Sequence, residues 1–145
     1  MIVAGIDVGG ARKGFHAVLL EGRRVVDQRN TSDAEALARW CLRAERIAID
    51  APCGWAPAGQ RSRLCERQLL AAGIHCFATP TREAALASRS NFYGWMLRGE
   101  ALYAALQGHG VPIARTAQAL QGRSCFESFP HGITCLLYTS DAADE

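Results

Sequence analysis

The sequence contains almost no lysine, no closely spaced cysteine pair and no long apolar run. Lys13 is the one lysine among 16 basic residues, so nearly all of the positive charge is arginine. None of the six cysteines has the C-x-x-C spacing of a zinc site. No apolar stretch approaches the roughly 20 residues of a membrane span, and Asp7 interrupts the first one, which argues against a signal peptide. These absences predict a cytoplasmic protein with reduced, buried thiols.

The last residues differ in character from the rest of the chain. The stretch CLLYTSDAADE, residues 135–145, resembles the in-frame translation of a transposase sequencing adapter, so we exclude it from the fold prediction. The whole chain has 16 basic and 14 acidic residues, a formal charge of +2, and removing the three acidic residues of this tail raises the charge to +5. The sequence thus predicts one domain over residues 1–134, truncated at its C-terminal end. Its arginine-rich charge is compatible with a nucleic-acid partner.

Hydrophobic patterning predicts strands that alternate with helices. The strands are expected at residues 2–8, 15–20, 23–29, 46–50 and 124–130, and the main helices after Ser32, at 61–72 and at 91–107. Ser32 and Glu35 have the spacing of a capping box. The first three strands form an antiparallel meander, and a right-handed crossover makes the fourth parallel to the first. The prediction is an α/β fold with a mixed five-stranded sheet of order 3-2-1-4-5 and flanking helices.

Three acidic residues lie on strands that this order makes neighbours. They are Asp7 in the first strand, Asp50 at the end of the fourth and Glu127 in the fifth. A carboxylate in an apolar strand is costly unless a cation neutralises it. Asp7 is open to three interpretations: a metal ligand, a phosphate contact, or a side chain that shapes the following glycine turn. Taken together, the three acids favour one shared site.

Basic residues follow these acids along the chain. Lys13 and His16 come soon after the first acid, Arg63 and Arg67 follow the fourth strand, and His131 follows the fifth. Lys13, both arginines and His131 are candidates for contacts with a substrate phosphate. The alternative for the arginines is a solvated helix face, and for His16 it is the outer face of a strand. Of the two histidines, His131 is better placed for proton transfer or for a contact with phosphate.

Four segments together resemble the domain family DUF429, whose members are predicted to be RNase H-like nucleases. The segments are GIDVGGARKGFHAV, IAIDAPCGW, RSRLCER and ESFPHG, and the resemblance covers nearly all of residues 1–134. It implies an RNase H-like fold in which Asp7, Asp50 and Glu127 hold Mg²⁺ or Mn²⁺, with Asp7 as the central ligand. The implied reaction is metal-dependent hydrolysis of phosphodiester bonds in DNA or RNA. The resemblance also implies a further acidic ligand from a later helix, beyond residue 134.

Two other functions are compatible with these residues. The segment GIDVGGARKG is similar to the phosphate loop of actin-like kinases and ATPases, which predicts a nucleotide-binding phosphotransferase. The third possibility is a non-catalytic RNase H-like binding module, because a fold does not by itself determine an activity. The phosphotransferase predicts tight ATP binding without cleavage of nucleic acid. The binding module predicts that Asp7→Asn leaves the function intact.

Overall fold

A computed structural model describes residues 1–141 of the chain, so the end of the predicted tail, residues 142–145, lies outside the described residues. The chain divides into two units. The first comprises residues 1–53 and 88–128, and the second comprises residues 54–87 together with those from 129 onward. No helix among the described residues combines the length and the apolar character needed to cross a membrane.

A mixed five-stranded sheet forms the first unit. The strands are β1 (Ile2–Val8), β2 (Phe15–Glu21), β3 (Arg24–Thr31), β4 (Arg46–Asp50) and β5 (Ser124–Glu127). Their order in the sheet is β3-β2-β1-β4-β5. The pairs β1–β2 and β2–β3 are antiparallel, whereas β1–β4 and β4–β5 are parallel. The predicted order and the antiparallel meander are therefore confirmed.

Five α-helices accompany this sheet in the described part of the chain. They are α1 (Ala34–Cys41), α2 (Leu64–Ala71), α3 (Arg82–Ala87), α4 (Gly94–Gly108) and α5 (Pro130–Asp141). Helices α1 and α4 belong to the first unit and the other three to the second. The sequence prediction missed α3, which has only six residues.

One face of the sheet carries the core of the first unit. Alternate residues of β1, β2 and β4 are buried there, together with apolar residues of α1 and α4: Ala4, Ile6, Val8, Phe15, Ala17, Leu19, Leu37, Ala38, Cys41, Ile47, Ile49, Leu102, Tyr103 and Leu106. Because successive side chains of a strand point to opposite faces, the residues between them point away from this core. Asp7 and Asp50 are both on that second face.

Helix α1 begins one residue later than predicted. Its N-cap is Asp33 rather than Ser32, and the Asp33 carboxylate accepts a hydrogen bond from the Ala36 N–H at 3.0 Å. The expected capping box of Ser32 and Glu35 is therefore wrong in its register. Aspartate and serine cap helices about equally well, so the sequence alone did not distinguish the neighbouring positions.

Three other predictions about the elements were wrong in detail. Helix α2 begins at Leu64 rather than at residue 61, since Arg63 is still extended. Strand β5 ends at Glu127 rather than at residue 130, because Pro130 begins α5 and proline suits the first turn of a helix. Helix α4 begins at Gly94 rather than at residue 91, because residues 91–93 form a 3₁₀ turn.

The outer edge of β5 is covered by residues 112–114. Ile113 forms an isolated parallel bridge with Cys125. The Cys125 N–H donates to the Pro112 carbonyl at 2.9 Å, and the Ala114 N–H donates to the Cys125 carbonyl at 2.8 Å. Both backbone groups of Cys125 on this side are thus used within the chain.

The buried carboxylate of Glu66 organises the second unit. Glu66 is only 6% exposed. It accepts hydrogen bonds from the N–H and hydroxyl of Thr79 at 2.9 and 2.6 Å and from the Arg63 N–H at 2.8 Å. The Arg63 guanidinium completes the set at 3.1 Å. A fully bonded, paired charge is the form in which a carboxylate can be buried, and here it joins the start of α2 to the segment before α3.

Candidate active site

Asp7 and Asp50 lie side by side at the carboxyl ends of two adjacent parallel strands. They are register partners in the β1–β4 pair, and partners in a parallel ladder point to the same face. Adjacent strands are about 4.8 Å apart. Asp7 is exposed and Asp50 is half-buried. In open α/β sheets, ligands bind outside the carboxyl ends of the strands, so the pair occupies a favourable position for a site.

Neither carboxylate is neutralised by the rest of the described chain. Among residues 1–136, whose side chains the structure describes, neither Asp7 nor Asp50 accepts a side-chain hydrogen bond or forms an ion pair. Burial raises the pKa of Asp50 above its usual value, and the negative charges of Asp7 and Glu127 raise it further. Crowded acids with perturbed pKa values are typical of functional sites.

Three side chains form hydrogen bonds with the backbone of the segment that follows Asp50. The Glu127 carboxylate accepts a hydrogen bond from the Cys53 N–H at 2.9 Å. Arg115 donates to the Cys53 carbonyl at 3.2 Å, and the Tyr103 hydroxyl donates to the Ala51 carbonyl at 3.0 Å. These contacts fix the backbone immediately after β4 and thereby limit the positions open to Asp50.

Gly99 allows α4 to approach this segment closely. A Cβ atom on Gly99 would lie 2.6 Å from the Cβ of Ala51, far inside van der Waals contact. Gly99 and Ala51 are both buried. The lack of a side chain at Gly99 and the single methyl group of Ala51 therefore allow the helix to approach the residue that follows Asp50.

Glu127 differs from the two aspartates in its orientation. Its register partner in β4 is Ile49, whose side chain belongs to the core face, whereas Asp50 points to the other face. Glu127 is the last residue of β5, and its carboxylate turns to the Cys53 N–H. Its charge nevertheless acts on Asp50. The described contacts thus assign Glu127 a supporting position, and its predicted role as a ligand stays a prediction.

The glycine-rich loop between β1 and β2 bonds mainly to itself. The Gly9 N–H donates to the Gly14 carbonyl at 2.9 Å, and the Lys13 and Gly14 N–H groups donate to the Gly10 carbonyl at 3.0 Å. Gly14 has a φ of +66°, and a Cβ there would lie 2.8 Å from the Thr31 carbonyl oxygen. Three amides of the loop are therefore not directed at a phosphate. The Gly9 amide is also not bonded to the Asp7 carboxylate, contrary to the turn-shaping interpretation.

The predicted basic residues fall in both units. Lys13 is exposed on the β1–β2 loop of the first unit. Arg63, Arg67 and His131 belong to the second unit. Arg63 is paired with the buried carboxylate of that unit, Arg67 donates to the Ser62 carbonyl at 2.7 Å, and His131 makes an edge-to-face contact with a neighbouring ring. Their contacts with a substrate stay predictions.

Sequence reasoning underrated His16, which is the cross-strand partner of Asp7 on β2. Its Nδ1 is 3.0 Å from the Asn30 Oδ1, and Asn30 is its own register partner on β3. The signal was present in the sequence, because a hairpin closed at Gly9 and Gly14 pairs residue 7 with residue 16. Asn30 carried no signal of its own.

The carboxylates form a pair rather than a complete metal cage. Within the described residues, no group of three or more histidine, cysteine, aspartate or glutamate side chains is arranged to hold a metal ion. The cysteines in the described part of the chain give no such site either. Cys41 and Cys125 are buried, and burial raises the pKa of their thiols to about 12 and about 11.

The fold and the site define an α/β protein with an open mixed sheet and a carboxylate pair at the ends of two central strands. Comparison with family models identifies the family of the chain. It belongs to the family described as protein of unknown function (DUF429), whose model matches residues 5–144. Neither the curated proteins nor the solved structures include a match. The family match crosses the boundary at residue 134, and the adapter origin of residues 135–145 stays a prediction.

Proposed function

We propose that this protein is a divalent-metal-dependent hydrolase of phosphodiester bonds in nucleic acid, with Asp7 and Asp50 as the principal metal ligands. One observation carries the proposal: two adjacent carboxylates at the ends of β1 and β4 have no hydrogen-bonding or ionic partner in the described chain. Two neighbouring negative charges favour a bound cation. The pKa of Asp50 is raised first by burial and further by the charges of Asp7 and Glu127.

The donor set suits Mg²⁺ or Mn²⁺. Both are hard cations that prefer carboxylate oxygens, and Mg²⁺ keeps several waters while binding one or two carboxylates together with substrate phosphates. A pair of aspartates is therefore sufficient, and a three-residue cage is not required. Glu127 supports the pair by bonding the Cys53 N–H, which holds the segment after Asp50.

The proposed reaction is the addition of water to phosphorus and the departure of the ester oxygen. Water oxygen forms the new P–O bond, the ester P–O bond breaks, and one proton of the water ends on the leaving oxygen. When bound, the cation supplies Lewis-acid polarisation of the phosphate and lowers the pKa of a coordinated water. Asp7 and Asp50 provide the negative charge that recruits the cation to the open face of the sheet.

The remaining parts of the proposal concern the substrate and its setting. We take nucleic acid, DNA or RNA, as the partner because the chain is arginine-rich and has a net positive charge. In the first unit, Lys13 is exposed on the loop that follows β1 and is a proposed phosphate contact. In the second unit, Arg63, Arg67 and His131 are proposed phosphate contacts in their own right. A reducing, cytoplasmic location is part of the proposal, because Cys41 and Cys125 are buried thiols.

The phosphotransferase alternative receives less support. A phosphate loop works by presenting backbone N–H groups to the phosphate. In this chain the amides of Gly9, Lys13 and Gly14 donate within the loop. A binding module without catalysis leaves the half-buried Asp50 unexplained, since burying a charge without a compensating partner is costly.

The test is a cleavage assay on the 145-residue chain with single- and double-stranded DNA and RNA oligonucleotides, with Mg²⁺, Mn²⁺ or EDTA. We expect metal-dependent cleavage that falls by more than about 100-fold in Asp7→Asn, since loss of a ligand should exceed the 10–100-fold typical of outer residues. Calorimetric titration with Mn²⁺ should show weakened binding in the same variant. Glu21→Gln, an exposed acid at the end of β2, is the matched control. Equal cleavage by Asp7→Asn and wild type would refute the proposal.

A further inference from the structure

Four polar side chains form a row across the second face of the sheet, the face that points away from the core. The register pairs Asn30 of β3 with His16 of β2, His16 with Asp7 of β1, and Asp7 with Asp50 of β4. Asn30, His16 and Asp7 are exposed, and Asp50 is half-buried. Directly opposite residues on neighbouring antiparallel strands have Cβ atoms about 4.5–5.5 Å apart, so His16 flanks Asp7 on the side opposite Asp50.

The contact with Asn30 fixes the way His16 presents its ring. Nδ1 of His16 is 3.0 Å from Oδ1 of Asn30. With the Asn30 amide oriented so that Oδ1 faces the ring, Nδ1 is the nitrogen that carries the hydrogen and donates it, because an amide oxygen only accepts. In the neutral imidazole the other nitrogen, Nε2, is then an acceptor. The row thus contains an oriented acceptor directly beside the carboxylate pair.

We propose that His16 accepts a hydrogen bond at Nε2 from the water that attacks phosphorus, and that Asn30 is the positioning residue for His16. This inference rests on the proposed hydrolase function and adds a catalytic residue to the same site. His16 orients the water and does not store its proton, which passes to the leaving oxygen as described above. Alignment of a bound nucleophile with its target is one of the larger sources of rate enhancement.

The alternative role for His16 is that of a third metal ligand. Metal-bound histidines also donate their other ring N–H to an oxygen acceptor, so the Asn30 contact fits both roles. The described residues favour the water, because His16, Asp7 and Asp50 do not form a group arranged to hold a metal ion. The two roles differ in what a substitution does to metal affinity.

The variants for the test are His16→Ala, His16→Gln, Asn30→Ala and Asn30→Asp, with Gln28→Ala as the control. Gln28 is exposed on β3 two residues before Asn30 and pairs with Val18 rather than with the row. Misplacing a reacting group by about 1 Å can cost about 100-fold in rate. We therefore expect His16→Ala to lower kcat by about 10–100-fold with KM unchanged. His16→Gln restores part of the loss because its amide oxygen accepts.

Asn30→Asp keeps an acceptor for Nδ1 and should retain kcat, whereas Asn30→Ala should lower it by several-fold. A two-bond ¹H–¹⁵N spectrum at pH 8.5 should show the ring hydrogen on Nδ1 of His16 in wild type and Asn30→Asp, and a shift toward Nε2 in Asn30→Ala. A purely structural role for the two residues would lower the melting temperature without this pattern.

Calorimetric titration with Mn²⁺ separates the two roles of His16. Unchanged Mn²⁺ affinity in His16→Ala, together with reduced kcat, supports the proposal. A tenfold weaker affinity overturns it in favour of a metal ligand. Unchanged kcat in His16→Ala overturns this inference alone, while the hydrolase function stands. Absence of cleavage by wild type overturns the proposed function and this inference with it.

Discussion

Asp50→Asn is expected to stabilise the protein at neutral pH while weakening its binding of metal. In the described chain the Asp50 carboxylate has no compensating partner, and it lies beside Asp7 at a strand spacing of about 4.8 Å. Two unit charges about 5 Å apart repel by about 0.8 kcal/mol in water and by about 3 kcal/mol at an effective dielectric of 20. Since Asp7 is exposed, we expect a gain near the lower figure, about 1 kcal/mol.

The pH dependence of this gain follows from the raised pKa of Asp50. The folded chain holds the Asp50 proton more tightly than the unfolded chain does. Below the unfolded pKa, about 4, both states are protonated and Asp50 carries no penalty. As the pH rises through the higher folded pKa, the folded state loses stability relative to the asparagine variant. The advantage of Asp50→Asn should therefore grow between pH 4 and neutrality.

Thermal unfolding in EDTA measures this effect, and about 1 kcal/mol corresponds to roughly 3 °C in a chain of this length. Asp27→Asn is the matched control. Asp27 accepts hydrogen bonds from Trp40 and Arg43, and the Arg43 contact lowers its pKa, so its loss should destabilise the protein. Added Mn²⁺ should raise the melting temperature of wild type and not of Asp50→Asn. A lower melting temperature for Asp50→Asn than for wild type at pH 7 in EDTA would contradict the reasoning.

Two further predictions concern buried positions and are measured by urea unfolding. Gly99→Ala should lower the free energy of unfolding by about 1–3 kcal/mol through its clash with Ala51, and it should also lower kcat. Gly108→Ala meets open space on the same helix, so it should be neutral or stabilising by about 0.5 kcal/mol. Equal effects at both positions would disprove the packing argument. Glu66→Ala should cost about 3–5 kcal/mol because the buried N–H and hydroxyl of Thr79 lose their acceptor and Arg63 loses this carboxylate. Substitution of the exposed Glu83 by Ala should change stability by less than about 0.5 kcal/mol.

The order of the sheet was predictable from the sequence because local features indicate where each strand begins and ends. Asp7 interrupts an apolar run, glycines follow it, and the second aspartate recurs before Pro52 at the end of another apolar run. These periodicities and breakers are local properties of the chain. The side-by-side placement of Asp7 and Asp50 follows directly from the strand order and the register of β1 with β4.

The orientation of Glu127 was not predictable in the same way. A strand of four residues contains too few alternating side chains to decide which face Glu127 takes. Glu127 is also the last residue of the strand, where the alternation no longer constrains its side chain. Its hydrogen bond to Cys53 joins residues 74 positions apart in the chain. The ion pair of Arg63 with Glu66 likewise depends on a buried environment that includes Thr79, which no local pattern announces.

The covered edge of β5 has a consequence for self-association. Exposed sheet edges are templates for strand addition by another chain. At this edge the outward N–H of Cys125 donates to the Pro112 carbonyl, and the Cys125 carbonyl accepts from the Ala114 N–H. An incoming strand would first have to displace two hydrogen bonds, each contributing about 0.5–1.5 kcal/mol. Residues 112–114 therefore disfavour intermolecular β-pairing at Cys125, in the middle of the edge strand β5.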